Sequence, residues 1–206
     1  MLIRVNCSFA GMNYLGHAYL SFNHQDFLVG NMVSDFVKGR QRFMFSGNIQ
    51  KGIELHRNID EYTDHHPATK KAMEVFRPAY RLYSSAIVDI LYDHYLANDE
   101  GEFDNAGLQN FSQQVYRSLE SRSAELPPRF LVAFSYMRTD DWLYNYRTKA
   151  GMQKSLAGLV RRATYLSESE TAYNLFLEHY VHLNECYTEF FKDVKQFAKQ
   201  RFDQLV

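Results

Sequence analysis

Ile49, Ile53, His56, Asp60 and Asp64 recur every three or four residues, so at 3.6 residues per turn they share one side of a helix. The first half of that stripe is apolar and the second half is imidazole and carboxylate. Burying such groups unpaired is costly, so this face lies at the surface, pairs internally, or holds a cation. The same intrusion of ligand-type residues into a core-facing stripe recurs at Asn31 and Asp35, and again at Asp89, Asp93 and His94. A mixed histidine and carboxylate set suits a divalent ion such as Mn2+, Mg2+ or Fe2+, whereas structural zinc usually draws cysteine. Such an ion can lower the pKa of a bound water and clamp a phosphoryl oxygen. Taken singly, each residue is explained by ordinary ion pairing at a helix edge, for example His56 with Asp60 one turn on. Taken together, acids clustering on three core-facing stripes favour the cation.

Other groupings are weaker. His179, His182 and Cys186 are spaced for one helix face but lack inward carboxylates, which points to packing. No Glu-x-x-His occurs in the chain, which disfavours di-iron carboxylate chemistry. Lys38, Arg40, Arg42, Lys51 and Arg57 surround the first two polar stripes, with Lys70, Lys71, Arg77 and Arg81 beyond. A solvated charged face is the usual reason for such residues. Arg57, directly after His56, is also placed to hold a phosphate bidentately, and the outer cations could attract an acidic partner.

These residues need helices to position them. Residues 26–38 read as one helix stopped by Gly39, and Ser46 or Asn48 caps a central helix running to about His65. Pro67 opens a short helix at its first turn, and Tyr80 to Ala97 forms the next, with Ala86, Ile90, Asp93, His94 and Ala97 inward. Residues 105–122 make an amphipathic helix with Leu108, Phe111, Val115 and Leu119 inward. Pro127-Pro128 starts a helix through about Met137, Thr139 or Asp140 caps one holding Trp142, and residues 149–164 continue the pattern. Ser167 and Glu170 read as a capping box opening a long last helix with one bend. Alternating β-branched runs with hairpin turns are absent. The reading is all-α, a single-domain multi-helix bundle.

The 206 residues carry 46% hydrophobic residues, 15 Tyr and 16 Phe, enough for a core and against disorder. A net charge of −1 gives no basic field for nucleic acid. Two distant cysteines, Cys7 and Cys186, exclude a disulfide framework and suggest a reducing cytoplasm. No apolar run is long enough to span a membrane, and the start is too short and polar for a secretory signal. Met12 could be a natural start, with residues 1–11 an extension before a domain of residues 12–206.

At these residues the sequence resembles the acyl carrier protein phosphodiesterase family of bacteria. The phrases that carry the likeness are Met12 to His17, Gly30 to Gly39, Gly52 to Asp60 with Thr63-Asp64, and Asp89 to Leu96, extended by Pro127 to Phe130 and Asp141 to Leu143. The resemblance implies a divalent-metal phosphodiesterase, similar to a manganese enzyme, on an atypical HD-phosphohydrolase-like fold. The implied reaction removes the 4'-phosphopantetheine arm from the carrier protein's serine. None of the eight histidines is followed by Asp, and Asp93-His94 has the reverse order, a departure from ordinary HD enzymes. The expectation is that Asp35, His56, Asp93 and His94 supply most of the metal shell. Asp60 would be a further ligand or the acceptor orienting His56, Arg57 would offset phosphoryl charge, and Asp64 and Asp89 would lie outside the shell. His17 is a candidate near the pocket. Two other classes stay open, a metal phosphohydrolase of another small phosphoester or nucleotide, and a helical protein that binds carrier protein without turnover.

Overall fold

A computed structural model describes residues 14–206; the expected extension at 1–11, Cys7 and the opening of the Met12 phrase lie outside them. The helical periodicities become α1 (Tyr14–Tyr19), α2 (Gln25–Val33), α3 (Gly47–His65), α4 (Pro67–Tyr80), α5 (Ser84–Ala97) and α6 (Asn105–Ser121). They continue with α7 (Pro128–Thr139), α8 (Trp142–Asn145), α9 (Lys149–Arg162), α10 (Glu170–Glu178) and α11 (Tyr180–Leu205). No strand occurs among the described residues, and each helix contributes buried side chains to one apolar core. The protein is all-α. No helix among the described residues is long and apolar enough to cross a membrane.

Close helix crossings set the frame of the site. Gly30 on α2 faces Gly52 on α3 so tightly that a Cβ at Gly30 would lie 2.3 Å from the Ile49 carbonyl oxygen, and one at Gly52 would lie 2.6 Å from that of Phe27. Only hydrogen fits in that contact, so the two backbones approach as near as helices can. Asn31 and Asp35 are thereby brought beside His56 and Asp60. Helix α5 is buried over nearly its whole length, and its Ala86, Ile90, Asp93, His94 and Ala97 are all inward. Helix α11 lies across α3 and α4.

Several boundaries differ from the sequence expectation. Helix α2 ends at Val33, and a tightened turn at Ser34–Phe36 carries Asp35. The segment expected to begin at Tyr80 starts at Ser84 instead. Pro78 removes a backbone donor inside α4, and Arg81, at φ +47°, turns the chain between the two helices. The cap of α8 is Asp141, in the left-handed region at φ +43°, rather than Thr139 or Asp140. No Ser167 capping box forms; α10 begins at Glu170, and the Glu168 carboxylate accepts the Thr171 N–H at 2.9 Å. The expected bend is a break at His179 between α10 and α11.

Candidate metal centre

The site begins at the short helix α1, which Asp93 holds in place. Its carboxylate, on buried α5, accepts the backbone N–H of Leu15 at 3.0 Å and of Gly16 at 2.8 Å. These are orphan donors of a helix start, so a buried acid finds partners there without a basic residue. Burial pushes the Asp93 carboxyl pKa well up, with the two amides acting against it. Anchored this way, α1 delivers His17 into the interior.

A chain of hydrogen bonds then fixes the His17 ring. The Ser21 hydroxyl donates to the His17 carbonyl at 2.8 Å, the Asn31 side-chain amide donates to Ser21 Oγ at 3.0 Å, and Asn31 Oδ1 faces His17 Nδ1 at 3.0 Å. Because Asn31 uses its nitrogen on Ser21, its oxygen accepts from His17, which puts the ring proton on Nδ1. Burial lowers the His17 pKa, helped by the charge on His56, so the ring is neutral. Its Nε2 lone pair therefore points at Asp60 Oδ1, 3.1 Å away. Two acceptors then lie 3.1 Å apart, an arrangement that a cation bound to both would satisfy.

Asp60 also approaches the second histidine. His56 Nε2 lies 3.1 Å from Asp60 Oδ2 and 3.3 Å from Asp35 Oδ1, and the His17 and His56 rings stack at 3.9 Å. Burial works against charging His56, but Asp60 and Asp35 outweigh it and carry the pKa up to about 10. The Asp60 carboxyl is held far below the ordinary range; burial opposes this, but the charge and the hydrogen bond of His56 prevail. In the absence of another cation the imidazolium proton is the positive charge between the two carboxylates. His56 Nδ1 is buried and has no hydrogen-bond partner. Asp89 makes no hydrogen bond or ion pair among the described residues, and burial followed by the charges of Asp60, Asp64, Asp93 and Asp35 raises its pKa well above the ordinary value. His17, His56 and Asp60 can each offer one atom to an ion, all within 4.8 Å of one another. This donor set, with Asp35 at its edge and acidic charge in excess, fits a hard or borderline divalent ion.

The structure brings Asp35, His56 and Asp60 together and adds His17, which sequence spacing marked only as a candidate. It does not bring His94 to them: His94 Nδ1 donates to the Tyr146 carbonyl at 2.7 Å and Nε2 lies 3.0 Å from the Tyr180 hydroxyl. Asp93 is engaged with the start of α1. Arg57 is exposed, and its guanidinium donates to the Val37 carbonyl at 3.3 Å, bracing the segment just after Asp35. His182 meets Cys186 at 3.8 Å on α11, away from these groups. Asn31 is the member whose role the sequence hid, since an asparagine in a core stripe shows no preferred partner.

Fold and site together define an all-α protein whose interior brings two stacked histidines and an aspartate into a group that could hold a metal ion. A family model described as acyl carrier protein phosphodiesterase matches residues 12–194, and the chain belongs to that family. A relative named acyl carrier protein phosphodiesterase from Klebsiella pneumoniae subsp. pneumoniae is 28% identical over 191 residues, 92% of this chain and 99% of that protein. Proteins of the same name from Escherichia coli O157:H7 and Shigella boydii serotype 18 are each 29% identical, over 92% and 87% of this chain and 99% and 94% of their own. No solved structure matches the chain.

Proposed function

We propose that the chain hydrolyses the phosphodiester joining a 4'-phosphopantetheine arm to the serine of holo acyl carrier protein, with a divalent cation held by His17, His56, Asp60 and Asp35. Family membership supplies the reaction. The observation that carries the cation is the neutral His17 Nε2 aimed at Asp60 with only a short gap between two acceptors. Bound there, Mn2+, Mg2+ or Fe2+ would supply Lewis acidity toward a phosphoryl oxygen and ease deprotonation of water. Asn31 keeps the His17 proton on Nδ1, so that Nε2 stays a donor of its lone pair. Asp60 and Asp35 balance the ion's charge, and Asp93 acts through α1 by keeping His17 in register. Asp89, which makes no hydrogen bond or ion pair among the described residues and whose carboxyl pKa is raised by burial and then by its acidic neighbours, is the group best suited to pass a proton to the departing serine oxygen. Water adds across the phosphorus to serine-oxygen bond; the arm leaves carrying the phosphate.

The carrier protein, acidic and helical, docks on the segment following Asp35. Lys38 and Arg40 are exposed there, and Phe43 and Met44 present 60% and 85% of their surface to solvent, a basic and apolar pairing suited to an acidic amphipathic helix. Residues 12–206 form the catalytic unit on this reading, working in the cytoplasm. The test is the mass of holo carrier protein incubated with metal-stripped protein, with and without Mn2+. Loss of the arm's mass only with Mn2+ is expected. An unchanged mass with protein folded and metal bound would overturn the reaction.

A further inference from the structure

A cavity of about 430 Å3 runs along α9, a volume in the range of small-molecule sites. Lys154, Arg161 and Arg162 line it, with Lys154 and Arg161 two turns apart on one helix face. None of the three pairs with a carboxylate or makes a hydrogen bond among the described residues, and Asp140 is the single acidic residue in the lining. Cations in the last turn suit a helix C-terminus, which accounts for Arg161 and Arg162 taken singly. It accounts neither for Lys154 in the middle of the helix nor for three cations sharing one concave wall.

The rest of the lining is aromatic or small. Trp142 is only partly buried, so indole surface remains open to the cavity. Between Lys154 and Arg161 the α9 residues that line it are Ser155, Ala157 and Gly158, all too small to fill the space. The indole and the arginine end lie near each other, since the Tyr14 ring is 6.3 Å from that of Trp142 and its phenol interacts electrostatically with Arg162. Open indole surface stacks on planar heterocycles, and guanidinium groups grip phosphate through charge-assisted hydrogen bonds.

We propose that this cavity is a binding site for a mononucleotide, with its phosphate on the wall of Lys154, Arg161 and Arg162 and its base against Trp142. The site is separate from the His17, His56 and Asp60 centre and takes a ligand other than the ester to be cleaved. It therefore stands or falls independently of the reaction proposed above.

Trp142 is the only tryptophan in the chain, so its emission reports the cavity directly. The full-length protein, with and without Mn2+, is titrated with AMP, GMP, CMP and UMP, with adenosine and with inorganic phosphate, by calorimetry and by tryptophan emission. At least one nucleotide should bind saturably with a change in emission and with the same Kd whether or not Mn2+ is present. It should bind about ten- to a hundredfold more tightly than adenosine or phosphate alone, the worth of one or two charge-assisted hydrogen bonds. Arg161→Gln combined with Arg162→Gln should weaken the nucleotide by a similar factor and leave the helix content unchanged, since both residues are exposed. Ala157→Leu, which fills the cavity and leaves its charges in place, should weaken nucleotide and adenosine alike. Absence of binding by all four nucleotides, or phosphate binding as tightly as any of them, would overturn the proposal. So would nucleotide binding that requires Mn2+, leaves the emission unchanged or survives the double replacement, because the ligand would then lie at the cation centre or elsewhere. Hydrolysis of holo carrier protein is a separate readout; its failure would overturn the reaction and leave the nucleotide site standing.

Discussion

Asp60 is the residue on which the two histidines meet, since each of its oxygens faces a different imidazole nitrogen at 3.1 Å. Asp60→Asn keeps the shape and removes the charge. It should weaken Mn2+ binding, measured by titration calorimetry, by more than about a hundredfold, while Asn31→Ala should cost about 10- to 100-fold, the usual loss when a ligand's hydrogen-bond partner goes. Equal small losses in both would remove Asp60 from the ion. His94 gives a contrasting test. Burial lowers its pKa from 6.5, with the Tyr146 carbonyl pulling the other way. The unfolded chain therefore takes up a proton that the folded chain resists, so the contribution of His94 is complete above about pH 6.5 and is lost as pH falls toward the depressed folded value. Denaturant midpoints should drop between pH 7.5 and 5.5, and His94→Gln should flatten that drop in part, because His17 is also held neutral by burial. The variant should still turn over substrate; a folded but inactive His94→Gln would put His94 in the metal shell, where spacing first suggested it.

Among the elements, the α2 and α3 pair sets the distance between Asp35 and His56. A methyl group at residue 30 would meet the backbone of Ile49, Gly52 and Ile53, atoms that cannot move aside as a flexible side chain would. On an open helix face Gly→Ala stabilises by roughly 1 kcal/mol. Here the sign should reverse, with Gly30→Ala losing about 1–3 kcal/mol by overpacking, read from urea midpoints. Mn2+ affinity should fall with it, because the crossing that opens is the one holding Asn31 and Asp35 against α3. A more stable Gly30→Ala protein would show that the crossing is not tight. Helix α1 makes the complementary point: six residues long, it has little helical stability of its own and stands because Asp93 caps it and Tyr14, Leu15 and Ala18 are buried.

For the whole molecule, an ion that binds only the folded chain stabilises it by mass action. At a hundred times its Kd, Mn2+ should add about 2.7 kcal/mol, which for a chain of this size raises Tm by roughly 5–10 °C. Chelator should reverse the shift, and Asp60→Asn should lack it; an unchanged Tm at saturating Mn2+ would argue that the histidine and aspartate cluster is a closed ion-pair network. Docking through Lys38 and Arg40 predicts that KM for the carrier rises with ionic strength while kcat holds, since exposed charges are screened. The sequence by itself determined the helical class, the single core and the three helices that carry ligand-type residues, because periodicity is a property of one helix and is written in consecutive positions. It also placed Asp35, His56 and Asp60 on core-facing stripes. What it could not decide is which polar residues face one another. Asp93 and His94 are neighbours in the chain yet stand about 100° apart around α5, so one reaches the start of α1 and the other reaches Tyr146 and Tyr180. The pairing of His17 with Asn31 and Asp60 depends on how several helices are rotated and spaced against each other. That geometry is settled by long-range contacts such as Gly30 against Gly52, which no single stretch of sequence contains.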